Sequence, residues 1–325
     1  MRVSAALPIG VAALLFESAR RRREAEGRLV ALFEKAGYAE IILPILDYLE
    51  PYEALLTVAS RSELYRFIDR DGEQLALRAD FTPMLARLLA PRLGALELPL
   101  RVFYRGDVIR YEEERAGRQR EFYQVGAELL GVADESAERE ILHLFLESLN
   151  CEDGSRPQDI QVVLGFAGAL DHLLLDAATD DPLALAAAVA RRERGPVRRA
   201  CPRLLAVVES GLPDRPEDLG PTAAGLERLL ALRDELAEAF PEVRLVIDLA
   251  EFARHGLDPR LTAGSGERSY YDGVVFRAFA GASALPVGGG GRYDSLFRRL
   301  GAEVPAVGFS LSVERLLDAG QRGAP

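Results

Sequence analysis

Val11, Leu14, Leu15, Ala19, Ala25, Leu29, Leu32, Phe33 and Ala36 recur at three- and four-residue steps, with arginines and glutamates between them. That spacing predicts one amphipathic helix over residues 11–37, with Gly37 placed to end it. A β-like run at 41–43 follows and is closed by Pro44, whose missing amide donor belongs at a sheet edge or beside a partner chain. Runs at 65–69 and 74–77 flank Arg70-Asp71-Gly72-Glu73, and an Asp-Gly pair in that setting predicts a hairpin. A longer hairpin is predicted over 103–131, two extended arms around a charged loop. A helix at 135–150 and a strand at 160–164 come next. From 167 to 240 the pattern turns to Ala- and Leu-rich helical segments, broken at Gly195-Pro196 and across 211–221. Strand character returns at 243–248, 270–279, 288–293 and 306–310, and a last helix starts near Ser312. Strands that pair through hairpins, with helices set apart, predict an antiparallel α+β core rather than a βαβ succession.

Composition narrows the class. With 325 residues, 49% of them hydrophobic, the chain can bury a large core as one big domain or two ordinary ones. A formal net charge of −11 argues against a surface built for nucleic-acid phosphates. The basic clusters at 20–23 and 191–199 read as solvated helix faces. Cys151 and Cys201 make no disulfide framework and suit a reducing compartment. The apolar run at 11–16 precedes its arginines, the reverse of a secretory signal, and is too short to span a membrane. A soluble, cytoplasmic protein is expected.

Several common chemistries are missing. No glycine-rich loop runs into Lys-Ser or Lys-Thr, and glycines 288–291 lack dinucleotide-fingerprint spacing. His143, His172 and His255 are scattered, without cysteines or carboxylates at metal-ligand spacing, and read as structural or surface residues. There is no Gly-x-Ser-x-Gly elbow. No metal or cofactor is expected.

Four separated segments carry chemistry. Leu77-Arg78-Ala79-Asp80-Phe81-Thr82 sets a carboxylate beside a hydroxyl, a pair suited to an ammonium group. As structure alone it reads as a strand end with an Asx-type cap. In the long hairpin, Arg110 precedes a loop holding Glu112, Glu113, Arg118 and Arg120, and Gln124 and Glu128 lie on the return arm. A planar guanidinium fork there can grip phosphate or carboxylate oxygens in pairs. The segment from Gly266 to Gly273 offers the paired rings and hydroxyls of Tyr270 and Tyr271. Last, Gly288-Gly289-Gly290-Gly291-Arg292-Tyr293-Asp294 permits close backbone approach, and the run from Ala306 feeds a helix bearing Arg315.

In this order the segments resemble the class II aminoacyl-tRNA synthetases, most closely histidyl-tRNA synthetases, over about residues 7–317 and least between 166 and 265. The resemblance implies an antiparallel sheet flanked by helices. Residues 1–165 would be the first part of the core, 166–242 a helical insertion, and 243–325 the rest of the core. It also implies histidine-binding roles for Asp80, Thr82, Arg110, Gln124, Glu128, Tyr270 and Tyr271. Asp80 and Thr82 would hold the α-amino group and Glu128 would face the imidazole, an arrangement that leaves a polar group unpaired with the wrong ligand. Arg110, Glu112, Arg118 and Arg315 would be the remains of an ATP site.

The departures are as telling. Asp80 stands where synthetases have Glu, Glu113 where they place a second arginine, and Ser312 where they carry glycine. Gly266 occupies the position of the arginine that stabilises charge during adenylation. Losing such a group costs on the order of 10²–10³ in rate, and Arg268 or Arg254 are the candidates to replace it. The sequence stops ten residues after Arg315, and no anticodon-binding domain is expected.

A kept amino-acid pocket with lost adenylation parts resembles the ATP phosphoribosyltransferase regulatory subunits, a synthetase-like paralogue family. That resemblance implies a non-catalytic protein that associates with the short catalytic transferase, enables the first step of histidine biosynthesis and transmits histidine feedback. It further implies a dimer through the first helix and strand, histidine as ligand, and neither tRNA nor membrane as partner. The competing reading is a truncated synthetase-like enzyme that still adenylates histidine or a related amino acid. A bare dimerisation scaffold, with Asp80 and Glu128 turned away from any ligand, is the third.

Overall fold

The structure, a computed structural model, describes residues 6–111, 119–150, 159–262, 270–281 and 285–321. In chain order its strands are β1 (Ala39–Glu40), β2 (Leu46–Tyr48), β3 (Arg66–Ile68), β4 (Gln74–Leu77), β5 (Leu100–Ile109), β6 (Glu121–Leu130), β7 (Gln161–Phe166), β8 (Arg244–Ile247), β9 (Val274–Phe279), β10 (Gly288–Arg292) and β11 (Ala306–Ser312). Eight of them form one sheet in the order β1-β5-β6-β11-β10-β9-β7-β8, and β2-β4-β3 form a small second sheet. The six strands from β5 to β7 pair antiparallel, as the hairpin pattern predicts. Both outermost strands pair parallel, β1 to β5 and β8 to β7. The sequence pattern does not reveal these edges. A parallel pair needs a long crossover, and the β7-to-β8 connection is a run of helices between Asp171 and Ala239.

Register decides what faces the site. Gly308 lies opposite Glu128, Ser310 opposite Gly126 and Ser312 opposite Gln124. Tyr104 lies opposite Gly126, and Gly289 lies between Ser310 and Arg277. Because side chains alternate along a strand, Tyr104, Gln124, Glu128, Ser310, Ser312 and Arg277 share one face. Val125, Ala127, Leu129, Phe276 and Phe309 fall on the other, buried against the helices Glu17–Lys35, Ser136–Ser148 and Val313–Gln321. There Phe33, Phe103, Phe145, Phe276 and Phe309 form a chain of ring contacts 4.8–5.9 Å apart. Each such ring, fully buried, contributes about 1.5–3 kcal/mol.

Three boundaries differ from the sequence reading. The first helix begins at Glu17, not at 11. Phe16 has a left-handed φ of 48° that a helix cannot use, and the segment before it is spent on the long hairpin, where Gly10 O accepts from Arg120 N. The run at 41–43 is not a strand. Pairing stops after Ile41 N meets Phe103 O, and the carbonyls of Leu43 and Pro44 instead receive Arg78 Nη1. The strand expected from Tyr270 starts at Val274, because the chain turns at Asp272, whose carboxylate accepts the Ser295 amide. The predicted Asp-Gly turn joins β3 to β4 as expected, with Gly72 at φ 88°, a conformation that favours glycine.

Candidate functional site

Arg78 fixes the geometry of the site before any ligand residue is placed. Buried, it donates to the carbonyls of Leu43, Pro44 and Asp107, and its guanidinium lies 3.8 Å from the ring centre of Phe81. Phe81 stacks on Tyr104 at 4.3 Å. One cation therefore ties the Pro44 segment, the long hairpin and the helix Phe81–Leu89 together. Asp80 is the N-cap of that helix, its Oδ1 accepting from Thr82 N at 3.2 Å. Tyr52 OH clamps the same turn, donating to Asp80 O and accepting from the amides of Ala79 and Asp80. Burial raises the Asp80 pKa, and the charge of Arg110 opposes the rise.

Behind Asp80 lies an inner cavity of about 40 Å³, lined by Thr82, Glu128, Tyr270, Tyr271 and Tyr293. Glu128 is 1% exposed and meets three hydroxyls: Tyr293 OH at 2.5 Å, Thr82 Oγ1 at 2.7 Å and Tyr104 OH at 3.2 Å. Burial pushes its pKa up to about 8, although those hydroxyl bonds pull it down. Below that pH the group is mainly a neutral acid. Gly308 permits the arrangement, since a Cβ there would stand 1.5 Å from Glu128 Oε2. Tyr270 and Tyr271 pack edge to face at 4.7 Å, and Tyr270 leans on Tyr293 at 5.9 Å. The cavity has room for a few waters, and an entering ring would press on the tyrosines that wall it.

Asp80, Tyr271, Gly289, Gly290 and Ser310 also line a second, outer pocket of about 220 Å³. Two arginine–phenylalanine units belong to it. The guanidiniums of Arg110 and Arg315 lie 4.6 and 5.4 Å from the ring centre of Phe122. That of Arg277 lies 5.5 Å from Phe252. Ser312 lines the pocket too, its Oγ accepting from Arg315 N at 3.4 Å to cap the last helix. Gln124 Oε1, Arg110 Nε and His255 Nδ1 are buried and have no hydrogen-bond partner among the described residues. Orphaned buried donors and acceptors each cost about 1–3 kcal/mol. Three around one pocket point to a polar ligand.

The structure thus gathers Asp80, Thr82, Glu128, Tyr270 and Tyr271 at the inner cavity, and Asp80, Arg110, Gln124, Tyr271 and Arg315 at the outer pocket. Glu112 and Arg118 lie outside the described residues, as do Glu113, Gly266 and Arg268. Sequence reasoning missed Tyr104, Phe122, Phe252, Arg277 and Tyr293, and it took His255 for a structural or surface residue, whereas its ring lines the outer pocket. Alternation from Glu128 and Gln124 across the register would have found Tyr104 and Arg277. Nothing local in the sequence marks His255.

Comparison with known proteins finds relatives over nearly the whole chain. The family model described as Histidyl-tRNA synthetase matches residues 10–316. The chain is 36% identical, over 98% of its length and 83% of the relative's, to an ATP phosphoribosyltransferase regulatory subunit of Moorella thermoacetica. Among solved structures it is similar to a Histidine--tRNA ligase subunit from Alicyclobacillus acidocaldarius, with a TM-score of 0.77, 26% identity and 99% of both chains covered. It also shares its fold with a chain of the ATP phosphoribosyl transferase (HisG:HisZ) complex from Thermotoga maritima, with a TM-score of 0.64 and 21% identity, covering 90% of this chain and 97% of that one. The chain belongs to the ATP phosphoribosyltransferase regulatory subunit family, built on the class II histidyl-tRNA synthetase fold.

Proposed function

We propose that this protein is the regulatory subunit of ATP phosphoribosyltransferase, binding the short catalytic subunit and mediating histidine feedback on the first step of histidine biosynthesis. The observation that carries the reading is the joined pair of cavities. One end offers a buried acid ringed by hydroxyls and tyrosines, and the other offers arginines and unpaired polar atoms. In this reading Asp80 takes an α-ammonium group, the inner cavity an imidazole and the outer arginines a carboxylate, which the polar lining of both cavities supports. Tyr270 and Tyr271 wall the inner cavity, so a ring entering it presses on them and favours a state in which they have moved. A ligand that binds two states unequally shifts their balance, which is what feedback requires.

Absence of aminoacylation belongs to the same proposal. Gly266 in place of the adenylation arginine and Ser312 in the outer pocket both work against ATP activation. The proposal includes self-association through the first helix and strand. Two large apolar side chains flanking these elements are exposed, Phe16 at 90% and Ile42 at 89%. Retention of Arg110 and Arg315 on one ring supports the second reading, a synthetase-like enzyme that still activates histidine.

The deciding experiment is phosphoribosyl-ATP formation by the short transferase, with and without this protein and then with histidine added. Activity that rises with the protein and falls with histidine is expected. No change on adding the protein would remove the regulatory reading.

A further inference from the structure

One cation of the outer pocket lies outside every segment that carries the family resemblance to ligand binding. Arg277 stands on β9 opposite Gly289, on the sheet face of Gln124 and Ser312. Its Nη1 donates to Glu251 Oε1 at 2.5 Å, and its Nη2 lies 3.2 Å from His255 Nε2. A guanidinium has only donors, so His255 Nε2 accepts, and the neutral ring carries its proton on Nδ1. Burial, with the charges of Arg277 and Arg254, brings the His255 pKa down to about 4, so this tautomer persists at neutral pH. The ring is held in place by Tyr271, stacked at 5.9 Å, and by the edge of Phe252 at 5.5 Å. A carboxylate at one end and an imidazole at the other thus orient the fork. These two contacts engage only part of its five N–H donors.

We propose that Arg277, braced by Glu251 and His255, is the anion subsite of the outer pocket and takes the carboxylate of a small amino-acid ligand. The inference rests on the histidine-sensing reading above and deepens it. Arg110, Arg277 and Arg315 all line the pocket, a cationic lining that suits a carboxylate. Arg110 already faces Asp80 and shares Phe122 with Arg315, whereas Arg277 is positioned from a separate loop. The 220 Å³ volume lies below the roughly 300 Å³ floor of pockets for drug-sized ligands and suits an amino acid. Of the described sequence candidates for a substitute cation, Arg254 is exposed, whereas Arg277 lines the pocket.

The test is calorimetric titration of L-histidine and of histamine, which keeps the ring and amine but lacks the carboxylate. Both are titrated into the wild type, Arg277→Gln and Arg277→Lys, each checked by its unfolding curve. The wild type is expected to prefer histidine. That preference should shrink about 10- to 100-fold in Arg277→Gln, the loss of a charge-assisted contact. Arg277→Lys should fall between, since it keeps the charge but not the fork. If Arg277→Gln does not fold, Arg277→Lys carries the test. An unchanged histidine-to-histamine ratio, or an equal loss for both compounds, would overturn the proposal. A wild type that binds neither would overturn it together with histidine sensing. Transferase activation on the same preparation then shows whether the regulatory reading itself stands.

Discussion

Glu128 and Gln124 lie four residues apart on one face of β6, and their surroundings are opposite. Glu128 is wrapped by the hydroxyls of Tyr293, Thr82 and Tyr104, while Gln124 Oε1 is buried without a partner among the described residues. The inner cavity is a satisfied network of the kind that fixes a single packing. The outer pocket leaves polar groups unpaired, at a cost to stability that a ligand can return. The two neighbouring compartments share Asp80 and Tyr271, so a ligand that spans them acts on a satisfied network and an unsatisfied one together.

The sharpest way to break the inner compartment is Gly308→Ala. Its Cβ would fall 1.5 Å from Glu128 Oε2 and 2.7 Å from the carbonyl of Ala127. Glu128 must leave its hydroxyls, so chemical denaturation should show a loss above about 3 kcal/mol, from overpacking plus unpaired groups. A loss below about 1 kcal/mol would mean the cage is loose.

Next in size is a pH effect. With a folded pKa of about 8 against an ordinary 4.5, Glu128 contributes stability that is full below pH 4.5 and is lost as pH rises through 8. Asp171, pushed up to about 7 by burial, acts with the same sign, and His255 acts in the opposite sense as pH falls toward 4. The clean readout is thus the difference in Tm between wild type and Glu128→Gln. It should move against the wild type as pH goes from 5 to 8; a constant difference would show that Glu128 is ionised throughout.

The smallest stability effect should come from the outer pocket. Gln124→Met removes an unpaired acceptor, so its stability should stay within about 1 kcal/mol of wild type. Histidine affinity should nevertheless weaken, as read by titration. Destabilisation above about 2 kcal/mol would show that Gln124 is part of the scaffold.

Much of this contrast could be read along the chain, and part of it could not. The long hairpin, the Asp-Gly turn and the helical run between β7 and β8 follow from local periodicity and turn chemistry, which the sequence displays directly. Asp80 had two readings, a strand end with an Asx-type cap and a ligand residue; the structure makes it the N-cap of a helix and sets it at both cavities. The parallel edges β1 and β8 are long-range pairings with no local mark. Phe16 and Ile42 are apolar yet exposed, so a pattern read as burial overextended one helix and one strand. His255 and Arg277 meet only because the loop after β8 folds over β9, and no spacing rule links them.

A synthetase-type pocket that holds histidine without activating it separates binding from adenylation. Histidine-dependent ATP–pyrophosphate exchange, run at a histidine concentration that saturates calorimetric binding, tests this separation most directly. Saturable binding is expected, with exchange no higher than in the absence of histidine. Exchange that rises with histidine and is lost in Arg110→Gln would contradict it and make the protein an enzyme.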